Sequence, residues 1–272
     1  MPKRPCFSAG YKTRSSDTNC DIYRLLQVLK WKIISVVIGK CEMKTIGLIG
    51  GMSWESTVTY YQLINEEVHK CLGGLHSAKI ILWSVEFDEI EKCQSSGNWA
   101  KSGEILASAA KGLEAAGADV VLICTNTMHK VADVVQSAVS VPLLHIGKAT
   151  ADALLSRSIK RVGLLGTKYT MQQDFLKKGI QERGIEVLVP DAADMEMINS
   201  VIFDELCVGK LLPESKAKFL KVVEKLRSRG AEGVILGCTE IGLLIGQTDT
   251  DLPVFDTTQI HAMAAVDFAL AH

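Results

Sequence analysis

The sequence has no Cys-x-x-Cys pair, so the ligand spacings of zinc fingers and of thioredoxin-like redox centres are missing. Its eight cysteines are too few and too scattered over 272 residues for a small disulfide scaffold. A reducing cytoplasm is the expected compartment. No apolar run approaches the ~20 residues that span a bilayer. The longest in the N-terminal part, Ile33–Ile38, is broken by Ser35, and no convincing small-residue cleavage pattern accompanies it. The glycines of Gly47–Gly51 do not form GxGxxG, which argues against a dinucleotide site. A net charge of −1 supplies no general basic field for nucleic acid. What is present is ordinary for a globular chain: 47% apolar and 22% charged residues. At about 150 residues per domain, the length suggests two domains.

The charge is unevenly spread. Residues 1–42 hold eight Lys or Arg against Asp17, Asp21 and Glu42, a net of +5, and residues 43–272 carry a net of −6. The first 42 residues contain one amphipathic stretch, Ile22–Ile38, and little that pairs with the rest. They read as a dispensable extension or a start-codon overcall, with the domain proper starting at Met43. A transit peptide is the alternative, because acids are few there.

From Lys44 onward the chain repeats itself. Thr45-Ile-Gly-Leu-Ile-Gly-Gly51 is a short apolar run ending in glycines, as expected of a buried parallel strand entering a tight turn. Arg161-Val-Gly-Leu-Leu-Gly-Thr167 has the same form 116 residues later. Helical patterns follow, over Glu55–Cys71 and Met171–Arg183. Gly117-Ala-Asp-Val-Val-Leu-Ile-Cys-Thr-Asn126 aligns with Gly230-Ala-Glu-Gly-Val-Ile-Leu-Gly-Cys-Thr239 at an offset of 113. Amphipathic helices, Ser102–Ala116 and Glu214–Arg229, precede them and end at glycines suited to C-caps. Val141-Pro-Leu-Leu-His-Ile146 matches Leu252-Pro-Val-Phe-Asp-Thr257, with helices Ala149–Ser156 and Gln259–Ala271 behind them. Three matched elements in one order predict an α/β chain of two pseudo-symmetric, flavodoxin-like parallel-sheet domains. The expected division is residues 43–148 plus 258–272 for the first domain and 149–257 for the second, joined by a packed hinge.

Ligands of open parallel sheets sit beyond the carboxyl ends of the strands. Small polar residues cluster there in both copies: Gly50-Gly-Met-Ser53, Cys124-Thr-Asn-Thr-Met-His129 and Gly237-Cys-Thr-Glu240. The 113 offset pairs Cys238 with Thr125, and not with Cys124, which lies one position out. Alternate residues of a strand face opposite ways, so Cys124 is expected to point away from the pocket that Thr125 faces. Acid/base groups on two opposed walls suit inversion of a carbon stereocentre, in which a proton leaves one face and returns on the other. A thiol suits the task because its thiolate is the active form and its pKa is tunable.

These motifs resemble those of the aspartate/glutamate racemase family over about residues 43–270. The resemblance implies cofactor-independent amino-acid racemisation in a cleft between two similar α/β domains, each giving one catalytic cysteine, and a homodimer. No residue is assigned to a cofactor or a metal. The implied partner is a small acidic amino acid, with no nucleic acid and no membrane. The family's first motif reads Cys-Asn-Thr, whereas Thr125 gives Thr-Asn-Thr here. Cys238 is then the expected thiol base and acid, with Thr125 opposite it donating or relaying a proton. Substrate contacts are expected from Met52 and Gln94 by the resemblance, and from Ser53, Asn126, Thr127 and Thr239. The backbone N–H groups of Gly51–Ser53, at a helix N-terminus, suit a carboxylate.

Other residues have weaker claims. Cys124 reads as strand packing. His129 could orient a catalytic group. Asn126 and Thr127 could cap the following helix. His145 and its repeat mate Asp256 end strands near the cleft, and Lys168 is the basic residue best placed for a side-chain carboxylate. Competing functions are a maleate isomerase or hydantoin racemase on the same scaffold, and a non-catalytic binder closing two lobes on a small acid.

Overall fold

The computed structural model describes residues 42–271. The Ile22–Ile38 stretch and the rest of the N-terminal extension through residue 41 lie outside the described residues.

The first half runs β1 (Ile46–Gly50), α1 (Trp54–Leu72), β2 (Ile80–Ser84), α2 (Phe87–Ser95), α3 (Trp99–Ala115), β3 (Val120–Ile123), a 3₁₀ turn (Thr127–Val131), α4 (Ala132–Ser137), β4 (Leu143–Leu144) and α5 (Ile146–Ser156). The second runs β5 (Arg161–Gly166), α6 (Lys168–Gln172), α7 (Asp174–Gln181), β6 (Glu186–Leu188), α8 (Ala192–Asp204), a 3₁₀ turn (Leu206–Val208), α9 (Pro213–Ser228), β7 (Val234–Gly237), α10 (Ile241–Leu244), a 3₁₀ turn (Gln247–Asp249), β8 (Val254–Asp256) and α11 (Thr257–Leu270). Each half builds a four-stranded parallel sheet, in the orders β2-β1-β3-β4 and β6-β5-β7-β8. The α/β fold with two similar parallel sheets therefore stands as read from the repeats. No described helix is long and apolar enough to cross a membrane.

Both faces of each sheet are covered, which is why the central strands are almost wholly apolar. In the first lobe, Ile46, Leu48, Val120, Leu122 and Cys124 pack with Tyr60, Ile64 and Val68 of α1 and Ala262, Ala265 and Val266 of α11. The alternate residues Ile49, Val121 and Ile123 pack against Leu106, Ala109 and Leu113 of α3. The last helix thus covers a face of the first sheet. In the second lobe, Leu165, Val234, Leu236 and Cys238 join Phe219, Val222 and Leu226 of α9, while Val162, Leu164 and Ile235 face the other way.

One expected helix is divided. The Met171–Arg183 pattern becomes α6 and α7, separated at Gln173, whose backbone is extended (φ −89°, ψ 163°). Burial explains the break. Met171 packs on the α8/α9 side of the sheet, whereas Leu176 and Ile180 pack on the opposite side, and one straight helix cannot reach both.

Candidate functional site

The strand registers fix which residues of the two lobes are equivalent. Ile49 pairs with Ile123 in the first sheet, and Leu165 pairs with Leu236 in the second. Two residues past the paired position lie Thr125 and Cys238, so the structure gives them the same station at the carboxyl end of a central strand. Likewise Leu122 pairs with Leu144 and Ile235 with Phe255, which makes His145 and Asp256 equivalent. Each caps the helix that follows: His145 Nδ1 accepts from Gly147 N–H (3.0 Å), and Asp256 accepts from Thr258 N–H (2.8 Å).

Cys124 lies wholly within the core between the first sheet and helices α1 and α11, and burial pushes its thiol well above the ordinary thiol range, out of reach near neutral pH. Thr125, one residue on, is only partly buried.

The lobes meet at these strand ends. Ser53 caps α1 by accepting from Ser56 N–H (3.3 Å), and its own O–H donates across to Glu240 Oε1 (2.8 Å). Glu240 Oε2 accepts from the Cys238 thiol (3.0 Å) and from Thr239 O–H (2.7 Å). Thr127, the equivalent of Glu240, reaches the second lobe's first loop at Thr167 through a long hydroxyl contact of 3.5 Å. Asn126 Nδ2 donates to Thr257 Oγ1 (2.9 Å), which itself donates to Leu236 O (2.8 Å). The Asn126 Oδ1 atom is buried with no hydrogen-bond partner. A buried acceptor left unpaired costs on the order of 1–3 kcal/mol, and a bound donor would recover that. Asn126 caps no helix with its side chain.

Between α2 of the first lobe and α6 and α8 of the second lies a cavity of about 290 Å³, lined by Glu91, Gln94, Lys168, Tyr169, Gln172, Gln173, Asn199 and Phe203. Gln94 Nε2 also contacts Met128 Sδ (3.0 Å). Lys168 forms an ion pair with Glu196. Met52 is buried in the cluster that holds Ile90 and Met128. The Gly51 N–H does not serve as an anion donor here, because Thr57 Oγ1 takes it (2.8 Å). Gly51 itself is required. Its φ is +92°, and a side chain there would collide with the Val85 carbonyl.

The Cys238 thiol is buried, and both that burial and the negative charge of Glu240 push it well above its ordinary pKa. In this arrangement Cys238 is a protonated thiol. Glu240 is the residue that sequence reading passed over. It stood in the Gly237–Glu240 motif without a role. The signal was there: an acid beside a run of apolar strand residues is buried only when paired.

His129 has no ring atom left for chemistry. Its Nε2 accepts from Ile146 N–H (3.1 Å), so Nδ1 carries the proton and donates to the Thr125 carbonyl (2.8 Å). It orients the backbone at Thr125.

Comparisons with known proteins agree with one another. The family described as Asp/Glu/Hydantoin racemase matches residues 49–265. The chain is 52% identical to a candidate Asp/Glu racemase of known structure from Yersinia pestis, with a TM-score of 0.79, covering 84% of this chain and 100% of that one. It is 41% identical to an aspartate racemase homologue from Pyrococcus horikoshii, with a TM-score of 0.75 and coverage of 84% and 99%. Among curated proteins it is 24% identical over 240 residues to the broad specificity amino-acid racemase RacX of Bacillus subtilis, covering 84% of this chain and 99% of that protein.

Proposed function

The chain belongs to the Asp/Glu/hydantoin racemase family, an isomerase family, and on that premise we propose that it racemises an acidic amino acid without a cofactor. The observation that carries this reading is the equivalence of Thr125 and Cys238 at matching strand ends of two lobes that meet there. Cys238 takes the Cα proton on one face. Thr125 delivers a proton on the other face, passed to it from water, because a threonine hydroxyl is too weak a base to act alone near neutral pH. The Asn126 Oδ1 atom, buried and unpaired, is the natural acceptor for the substrate ammonium. Ser53, Thr127 and Thr239 supply hydroxyls, Met52 and Gln94 border the substrate, and Lys168, which lines the inter-lobe cavity with Gln94, faces the side-chain carboxylate.

A second reading has its own support. Lys168 is paired with Glu196, and its cavity neighbours are mainly amides and aromatics. That lining suits neutral side chains too, in line with the broad specificity of the Bacillus subtilis relative.

The test is incorporation of solvent deuterium at Cα, run with both enantiomers of aspartate, glutamate and a panel of neutral amino acids. Exchange with aspartate or glutamate is the expected result. No exchange with any amino acid would return the chain to the binding-protein reading. Exchange confined to neutral substrates would favour the second reading. The same proposal includes a cytoplasmic homodimer. In support, Trp54, Val58 and Tyr61 form an exposed apolar stripe on α1, and sedimentation measures the mass directly.

A further inference from the structure

We propose that Glu240 is a positioning residue that receives the Cys238 proton, and that Ser53 of the opposite lobe holds its carboxylate in place to do so. The inference rests on the racemase reading and adds to it the group that makes Cys238 a base.

Glu240 is 4% exposed. A buried carboxylate ordinarily finds Lys or Arg. All three donors around this one are neutral: the thiol of Cys238, the hydroxyl of Thr239 and the hydroxyl of Ser53. A helix-capping role does not explain it, since Glu240 precedes α10 but makes no side-chain cap bond. The other titratable groups felt at this place are Cys207, in the 3₁₀ turn after α8, and Glu55, in the first turn of α1. The local charge is therefore negative, and burial raises both thiols.

This environment dictates how a thiolate can form. Losing the Cys238 proton to solvent would leave two adjacent negative charges in a buried place, which is costly. Moving the proton to Glu240 keeps the pair at a single negative charge. In that step the Sγ–H bond breaks, an Oε2–H bond forms, and the electron pair stays on sulfur. The thiolate then takes the Cα proton, forming Sγ–H and leaving an electron pair on the substrate. Thr125 returns a proton from water to the other face, and the hydroxide so formed is neutralised by the Glu240 carboxylic acid. Because Ser53 donates to Oε1 from the first lobe, the acceptor is held by a contact between the two lobes.

The experiment uses the full chain and two readouts. The first needs no substrate: the rate of iodoacetamide alkylation of Cys238, followed by mass spectrometry from pH 6 to 9. Transfer within the pair leaves the thiolate fraction independent of pH, so the wild-type rate is expected to be flat. Glu240→Gln removes the acceptor, and its rate is expected to rise about tenfold per pH unit over part of that range, as for a lone thiol. The second is Cα exchange, in which Glu240→Gln is expected to lose ~10²–10³-fold in kcat with KM changed less than about threefold. Glu240→Asp is expected to restore at least about tenfold of that loss. A wild-type alkylation rate that climbs tenfold per pH unit would overturn the proposal. So would a Glu240→Gln protein that exchanges within about threefold of wild type. Should Glu240→Gln fail to fold, the wild-type profile and Glu240→Asp still decide the matter. If wild type exchanges no amino acid, the racemase reading falls, and the alkylation profile judges the pair separately.

Discussion

The two lobes share strand order and register, yet they differ in the residues that follow their matching strands. Where the first lobe has Thr125, Thr127, His129 and His145, the second has Cys238, Glu240, Gly242 and Asp256. The differences are coupled in pairs. His129 packs edge-to-face on His145, with ring centroids 4.6 Å apart. Its counterpart Gly242 has no side chain, and a Cβ there would lie 2.5 Å from Asp256 Oδ2. The first lobe fixes its strand end through an imidazole bound to the Thr125 backbone. The second fixes its strand end through a carboxylate bound to the Cys238 sulfur. A duplicated scaffold thus carries two unlike strand ends, and the lesson is that symmetry here extends to the backbone but not to the side chains placed on it.

The sharpest way to break this comparison is to remove each reactive side chain in turn. Cys238→Ala is expected to lower Cα exchange by ~10³-fold or more, because it removes the thiol proposed to take the Cα proton. Thr125→Ala is expected to cost less, about 10- to 100-fold, since water can supply the proton that Thr125 relays. Equal losses from the two would mean that the half-sites are equivalent after all. The converse substitution tests the register. Thr125→Cys should let both enantiomers of the substrate exchange at comparable rates. If that variant exchanges one enantiomer far faster than the other, residue 125 does not face Cys238 across the substrate.

Acid should distinguish the lobes as well, through stability. His261, His129 and His145 cluster under the first lobe's strand ends, and burial lowers the pKa of each. His261 is the clearest case. Its Nε2–H donates to the Leu144 carbonyl (2.8 Å), its Nδ1 accepts from Tyr60 O–H (2.9 Å), and its pKa falls from 6.5 to about 4. A protonated ring cannot keep both bonds. The unfolded chain takes up this proton near pH 6.5 and the folded chain only near pH 4, so stability is full above 6.5 and falls as the pH drops through that window. The loss from His261 reaches on the order of 3 kcal/mol. Urea unfolding at pH 7 and pH 5 measures it, and His261→Gln should flatten the dependence while lowering stability at pH 7. A wild-type unfolding midpoint that is unchanged between those pH values would contradict the assignment.

Most of the fold was legible because apolar strands ending in glycine recur at fixed offsets, and parallel strands buried on both faces leave little latitude in composition. The equivalence of Thr125 and Cys238 was legible for the same reason, since register is counted in residues. Three features were not. The break at Gln173 depends on which side of the sheet Met171 and Leu176 pack, and the helical pattern of the segment does not carry that. The occupation of the Gly51 N–H by Thr57 depends on the turn's three-dimensional path. The role of Glu240 depends on Ser53, 187 residues away in the chain, and no local pattern reports a contact of that range.

The smallest expected effect concerns the cysteine that sits next to the reactive position of the first lobe. Cys124 and Cys238 differ by one step of strand alternation relative to their lobes, and that step places Cys124 among Val120, Leu122 and Tyr60. A thiol there behaves as a small apolar side chain. Cys124→Ala should therefore cost only about 1 kcal/mol of stability, from the vacated sulfur volume. It should also leave Cα exchange within about twofold of wild type, in contrast to the ~10³-fold loss at Cys238. Iodoacetamide should leave Cys124 unmodified in the folded protein at pH 8, since burial holds its thiol far above the ordinary thiol range. A Cys124→Ala protein that folds normally but loses exchange would move the reactive position by one residue and undo the pairing of Thr125 with Cys238.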